Sequence, residues 1–193
     1  MGPPPGHHTH DGFYMRLTTG LGYLNAKYKY LEQDTTISGT ALAATFAFGG
    51  AVANNLVLYG ELLMTMAIDP KSEAGGVSKT LTDQNVNLMG IGPGVAYYLE
   101  PSNIYFSGTL AFSQVTQSNS SSSNSNNSVD LTEMGLGLSL MFGKEWWVSH
   151  DWGLGGACML HIASMKTKQE TAGIPDTKMT ATALSFLFSA TYN

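Results

Sequence analysis

Eight stretches of the chain alternate, residue by residue, between bulky apolar and small or polar side chains: 13–25, 40–53, 56–68, 86–99, 104–115, 131–145, 152–165 and 179–192. A period of two is the mark of a strand whose two faces meet different surroundings. In the first stretch Phe13, Met15, Leu17, Leu21 and Tyr23 share one face, opposite Tyr14, Arg16, Thr18, Gly20 and Gly22. The third sets Leu56, Leu58, Leu62, Met64, Met66 and Ile68 against Tyr59, Glu61 and Thr65. The sixth sets Met134, Leu136, Leu138, Leu140 and Phe142 against Glu133, Gly135, Gly137, Ser139 and Gly143. Pro93, inside one stretch, lacks a donor for the strand ladder and predicts a bulge or kink there.

The placement of charge decides which face meets which solvent. Lys and Arg total 9 and Asp and Glu 14, yet only Arg16, Glu61, Glu133, Lys144 and Glu145 lie inside the eight stretches. Of these, Lys144 alone has the parity of the bulky face, and it stands at a strand end. A soluble barrel would place its bulky groups inside and its charges outside. Here the bulky face carries almost no charge, and turned to water it would form a continuous apolar band prone to aggregation. Turned to lipid it costs nothing, whereas Arg or Lys at mid-bilayer costs roughly 2–4 kcal/mol. Backbone groups in lipid must pair within the protein, so strands span only as a closed barrel. The expected fold is all-β: an eight-stranded antiparallel up-and-down transmembrane barrel, closed, with a side-chain-filled interior.

The connections alternate in length. Long ones are expected near 26–39, 69–85, 116–130 and 166–178, and short ones near Asn54-Asn55, Pro101-Ser102 and 148–151. All long loops then lie on one side, extracellular in the usual bacterial arrangement, and both termini lie on the other. Residues 1–12 are expected as a flexible tail before a single barrel domain, 13–193. Most aromatics fall in the strand halves near the short turns. Outward members, among them Phe13, Trp146, Trp152, Phe186, Phe188 and Tyr192, are expected at the membrane interface, where amphipathic rings favour the headgroup level.

Composition narrows the picture further. The chain has 193 residues, enough for one ordinary domain, with 12% charged residues against a globular norm of about 25%. A net charge of −5 offers no basic surface for nucleic acid. The single cysteine, Cys158, excludes an internal disulfide and Cys-based zinc patterns. No stretch reaches the ~18 apolar residues of a membrane helix. Met1-Gly2-Pro3-Pro4-Pro5-Gly6 has neither the basic nor the apolar region of a secretory signal, and the expectation is a mature chain carrying a start methionine.

From about residue 11 onward the chain resembles the small eight-stranded outer-membrane barrels of Gram-negative bacteria, the group of outer-membrane proteins A, X and W. Asp11-Gly12-Phe13-Tyr14, Tyr97-Tyr98 with Asn103-Ile104-Tyr105, and Gly143-Lys144-Glu145-Trp146-Trp147 with Trp152-Gly153-Leu154-Gly155 are similar to stretches in uncharacterised barrels of that group. The resemblance implies residence in the bacterial outer membrane, among its lipids and lipopolysaccharide. Strands of that family end on an aromatic read by the insertion machinery; here Tyr192 is penultimate.

Candidate chemistry is sparse. Arg16 and Glu61 share inward parity and comparable depth, so they are expected to pair across the lumen, with Glu145 as a second acceptor, and to act as a structural plug. Glu133, Ser139 and His161 are expected as polar lumen residues. Pairing Trp147 with Gly153 brings Ser139 opposite His161, close enough to share a hydrogen bond but with no orienting carboxylate; Ser164 lies on the other strand face. No catalytic set is expected. His7, His8, His10 and Asp11 carry metal-ligating groups in a Pro/Gly-rich tail without fixed geometry, so neither a metal site nor a cofactor is expected.

Three functions remain: a structural or surface-interaction barrel without an open pore, a narrow conduit for small hydrophobic molecules of the outer-membrane protein W kind, and a lipid-modifying enzyme. The first is favoured. A conduit calls for an apolar inner funnel, whereas the inner face as read offers Gly, Ser, Thr and ions. An enzyme calls for a convergent nucleophile, base and acid.

Overall fold

The computed structural model describes residues 10, 12–30, 33–119, 128–168 and 177–192. Among the described residues eleven strands form: β1 (Phe13–Tyr30), β2 (Gln33–Ala53), β3 (Leu56–Ile68), β4 (Lys71–Ala74), β5 (Val77–Thr80), β6 (Gln84–Leu99), β7 (Ile104–Asn119), β8 (Ser128–Asp130), β9 (Gly135–Trp147), β10 (Trp152–Lys166) and β11 (Lys178–Tyr192). The eight long ones, β1, β2, β3, β6, β7, β9, β10 and β11, pair antiparallel in chain order, and β11 returns to pair with β1. These eight close into an antiparallel barrel with no free edge, to which β4, β5 and β8 are added at one end.

The surface is inverted relative to a soluble protein. Leu17, Leu21 and Tyr23 on β1, Leu58 and Leu62 on β3, Leu136 on β9 and Phe186 on β11 all stand exposed on the outer wall. Leu136 is 70% exposed and Phe186 68%, while Arg16 is 0% and Glu61 3% exposed. Outward apolar residues run from Phe13 to Tyr23 along β1. At about 3.3 Å per residue and a tilt of about 40°, they make a band about 25 Å tall, the height expected for lipid contact. No helix of the described residues is long and apolar enough to cross a membrane; the strands do the spanning.

The described parts of the segments expected as long loops are largely strand; 120–127 and 169–176 lie outside the described residues. β1 and β2 pair without a break out to Tyr30 opposite Gln33. β4 and β5 form a hairpin whose first strand adds to β2. β8 adds to the end of β7, and Thr132 bridges Thr167. These extensions are rich in Thr, Ser, Lys and Asn because both of their faces leave the lipid, so they lose the apolar alternation that marks a spanning strand. At Pro93 there is no bulge: β6 keeps one register with β7, and the ladder skips only Gly92 and Pro93. Gly92 is required by close approach, since a Cβ there would fall on the backbone carbonyl of Leu110.

Interior side chains fill the lumen in layers. Near the short turns an apolar cluster gathers Tyr14, Val57, Tyr59, Leu63, Tyr98, Tyr105, Met141 and Met159. Near the long hairpins a second gathers Leu24, Ile37, Val86, Leu88, Val115, Met165 and Met179. The polar residues lie between the two or facing them.

Candidate functional site

The period-two pleat places Arg16 on β1 and Glu61 on β3 facing inward, since each lies an even number of positions from the buried Tyr14 and Tyr59 on its own strand. Arg16 Nη2 lies 3.5 Å from Glu61 Oε1 and donates to Ser107 Oγ at 3.2 Å. Thr109 Oγ1 donates to Glu61 Oε2 at 2.5 Å and is itself 3.1 Å from the Tyr59 hydroxyl. Three strands, β1, β3 and β7, thus meet at one ion pair.

Aromatic rings enclose the cation. The Arg16 guanidinium carbon lies 4.9 Å from the Tyr105 ring centroid, 5.5 Å from that of Tyr59 and 5.9 Å from that of Tyr14. Arg16 Nε and Nη1 have no hydrogen-bond acceptor among the described residues, so the ring faces supply their negative potential. The Tyr14 and Tyr98 hydroxyls sit 3.1 Å apart. These tyrosines were part of the one-sided aromatic set legible in sequence, yet they line the lumen, and their parity opposite the greasy face is the signal that separates them from the outer ring.

Glu145 does not bond to Arg16. It is 1% exposed and accepts from Ser189 Oγ and Thr191 Oγ1, each at 2.6 Å, which ties β9 to β11 near the rim. Glu133 is not in the lumen: it precedes β9, stands exposed, and donates its backbone N–H to the Lys166 carbonyl. His161 and Ser139 are paired positions on β10 and β9, with Trp147 opposite Gly153, but the hydrogen-bond partner of His161 Nε2 is Ser113 Oγ on β7, 3.2 Å away. His161 Nδ1 has no partner among the described residues. A buried Ser–His contact without an orienting carboxylate lacks the third member that nucleophilic catalysis needs.

The tail is not loose where it meets the barrel. His10 is 1% exposed, stacks on Tyr98 at 3.5 Å between ring centroids and places Nε2 2.9 Å from Asn103 Oδ1. Its carbonyl accepts from the Asn55 N–H, and that of Gly12 from the Ala51 N–H. His10 therefore caps the short-turn end of the lumen, a role that no local sequence signal announces. His7, His8 and Asp11 lie outside the described residues, and no group of metal-ligating side chains occurs among those described.

On the outer wall, Phe13 packs edge-on against Phe48 at 5.1 Å and against Tyr192 at 6.0 Å, and Trp152 lies 5.4 Å from Tyr192. Trp146 is exposed, with Lys144 Nζ 5.3 Å above its ring and donating to the Ser102 carbonyl at 2.6 Å. Lys144 thus reaches toward the rim rather than into lipid. Phe188 and Phe186 are also outward, Phe186 deeper, level with Leu21 on β1 and Cys158 on β10.

A closed inverted barrel with a plugged lumen defines a transmembrane β-barrel of the outer-membrane kind. Solved structures agree on the fold. Neisserial surface protein A is 11% identical, with a TM-score of 0.55 over 93% of this chain and 96% of that one. Outer membrane protein OprG from Pseudomonas aeruginosa is 14% identical, with a TM-score of 0.53 over 97% and 99%. Outer membrane protein AlkL, whose structure was determined in lipid bilayers, is 10% identical, with a TM-score of 0.54 over 100% and 94%. No protein-family model and no curated protein matches the sequence. The chain has the fold of the small eight-stranded bacterial outer-membrane barrels.

Proposed function

We propose that the protein is a filled barrel of the bacterial outer membrane with a structural or surface-interaction role, holding paired hairpins above the lipid and passing no solute through its centre. The observation that carries this reading is the lumen itself: Arg16, Glu61, Tyr14, Tyr98, Tyr105 and His10 are each at most 3% exposed and join opposite walls. An eight-stranded barrel is just wide enough for side chains to fill. The hairpin ends of β1–β2 and β4–β5 offer polar, extended surface for contact beyond the membrane. No catalytic step forms part of this reading, because the Ser113–His161 contact lacks an acid.

A second reading, a conduit for small hydrophobic molecules, draws support from the apolar upper lumen of Leu24, Ile37, Val86, Leu88, Val115, Met165 and Met179. Those residues are at most 5% exposed and packed on one another, which favours filling over passage. Purified protein in planar bilayers is expected to give no steady current, and loaded liposomes no sugar-driven swelling. Either signal would overturn the filled-barrel proposal, and protein-dependent transfer of an apolar dye into liposomes would move the assignment to the conduit.

A further inference from the structure

One layer of the lumen is not completed by its own side chains. The register leads from Lys27 on β1 through Thr180, Ser164, Leu136, Phe112, Ile91, Leu62 and Phe46 to Leu17, back on β1 and ten residues lower. This stagger, about one residue per strand, sets which inward residues share a height. Gly22, Ala43, Thr65, Gly90, Ser113, Gly137, His161 and Ser185, one from each of the eight long strands, stand within about one residue of the same level. Four of them bear no side chain or a methyl group only. The polar four, Thr65, Ser113, His161 and Ser185, are each 0% exposed.

Bulky apolar layers close this one on both sides. Toward the hairpins lie Leu24, Leu88 and Val115, each two residues along its strand from Gly22, Gly90 and Ser113. Toward the short turns lie Leu63, Met159 and Leu187, each two residues from Thr65, His161 and Ser185. His161 is the one large side chain between them, and it serves one half of the layer. A Cβ on Gly90 of β6 would meet its Cε1 at 3.3 Å, and one on Gly137 of β9 would meet its Nε2 at 2.8 Å. Nε2 is also the atom that meets Ser113 Oγ on β7. The ring therefore lies toward β6, β7 and β9. The other sector is bounded by Gly22 on β1, Ala43 on β2, Thr65 on β3 and Ser185 on β11, and this layer contributes nothing larger than a threonine to it. Ser185 Oγ leans over Gly22, where a Cβ would collide with it.

Three polar atoms of the layer have no hydrogen-bond partner among the described residues: Thr65 Oγ1, Ser185 Oγ and His161 Nδ1. Polar groups buried this deeply are as a rule satisfied, by protein or by bound water. These three come from three strands and stand at one height. Their chemistry calls for a small neutral molecule that both donates and accepts: the layer offers hydroxyls and an imidazole, and the carboxylate nearest along β3, Glu61, is engaged by Thr109 and Arg16. We propose that the sector is a site for ordered water, in which about one or two molecules, each making about three hydrogen bonds, bridge His161 Nδ1, Thr65 Oγ1 and Ser185 Oγ. The site goes beyond the filled-barrel reading and is separable from it. A hydrated layer closed above and below passes no current, so conductance tests the barrel and not the water.

The test uses the full chain, isotopically labelled and refolded in deuterated detergent. Water held in the layer should give nuclear Overhauser cross-peaks from the water frequency to the His161 ring protons and the Thr65 methyl. The second arm is the T65V/S185A variant, whose folding is checked by its change in gel mobility on boiling. If the hydroxyls were dry, replacing them with apolar groups would relieve a cost and leave the unfolding midpoint unchanged or raised. If they hold water, the same change strips that water of two partners, and the midpoint should fall by about 2–4 °C for each net hydrogen bond lost. Wild-type protein without the cross-peaks, or a folded variant whose midpoint is unchanged or raised, would refute the site. Should the variant fail to fold, the wild-type cross-peaks decide alone.

Discussion

Arg16 owes its position to more than one partner. A single 3.5 Å contact to Glu61 is long for a charge-assisted bond, but the ring faces of Tyr14, Tyr59 and Tyr105 and the Ser107 hydroxyl surround the rest of the group. Neutralising Glu61 removes the one negative charge in contact with the guanidinium, and a buried charge left without its partner is costly. Glu61→Gln is expected to destabilise the barrel by about 3 kcal/mol, read as a lower unfolding midpoint in detergent. An unchanged midpoint would mean that the rings alone carry the cation. At this scale the sequence was legible where parity sufficed, for Arg16 and Glu61, and illegible where contact crosses the lumen. Ser139 is opposite His161 along the hairpin, but the bonded partner, Ser113, comes from a third strand. Nothing in the local pattern around His10 shows that it caps a barrel mouth. Glu133 was misplaced because β9 begins only at Gly135, so its parity continues past the point where the pleat does.

Elements follow the same logic. The spanning halves of the strands were readable because lipid on one side and a crowded lumen on the other impose opposite demands on alternate residues. Beyond the bilayer both demands lapse, and the paired ends of β1, β2, β7 and β10 read as loops although their backbones continue the ladder. Near Gly92 and Pro93 the ladder between β6 and β7 is interrupted without a register shift, a compromise between a residue with no donor and a neighbour with no side chain. Gly92→Ala would drive a methyl group into the Leu110 carbonyl, and the strands would have to separate. The expected cost is about 2 kcal/mol or more, seen as a lower yield of the compact, heat-modifiable form. Wild-type yield from the variant would show that β6 has room that the backbone geometry denies.

The whole molecule is a wall with two unlike sides. Its inner side is closed by an ion pair, a ring of tyrosines and a histidine cap, and its outer side is graded from an aromatic rim through an apolar band to polar, charged hairpin ends. No single residue specifies this arrangement. It follows from where each charge was permitted: hydrogen-bonded inside the lumen, or beyond the lipid at either end. Function, unlike fold, leaves a faint trace in such a chain, because the residues that fill a barrel and those that would work within one are of the same chemical types.

Cys158, the chain's one thiol, sits part-exposed on β10 opposite Phe142 on β9 and Phe186 on β11. It therefore offers a ready-made depth gauge. A lipid-soluble maleimide should modify it in vesicles while a charged, water-bound one leaves it intact, and a spin label attached there should be quenched by oxygen dissolved in the hydrocarbon rather than by a nickel chelate in the buffer.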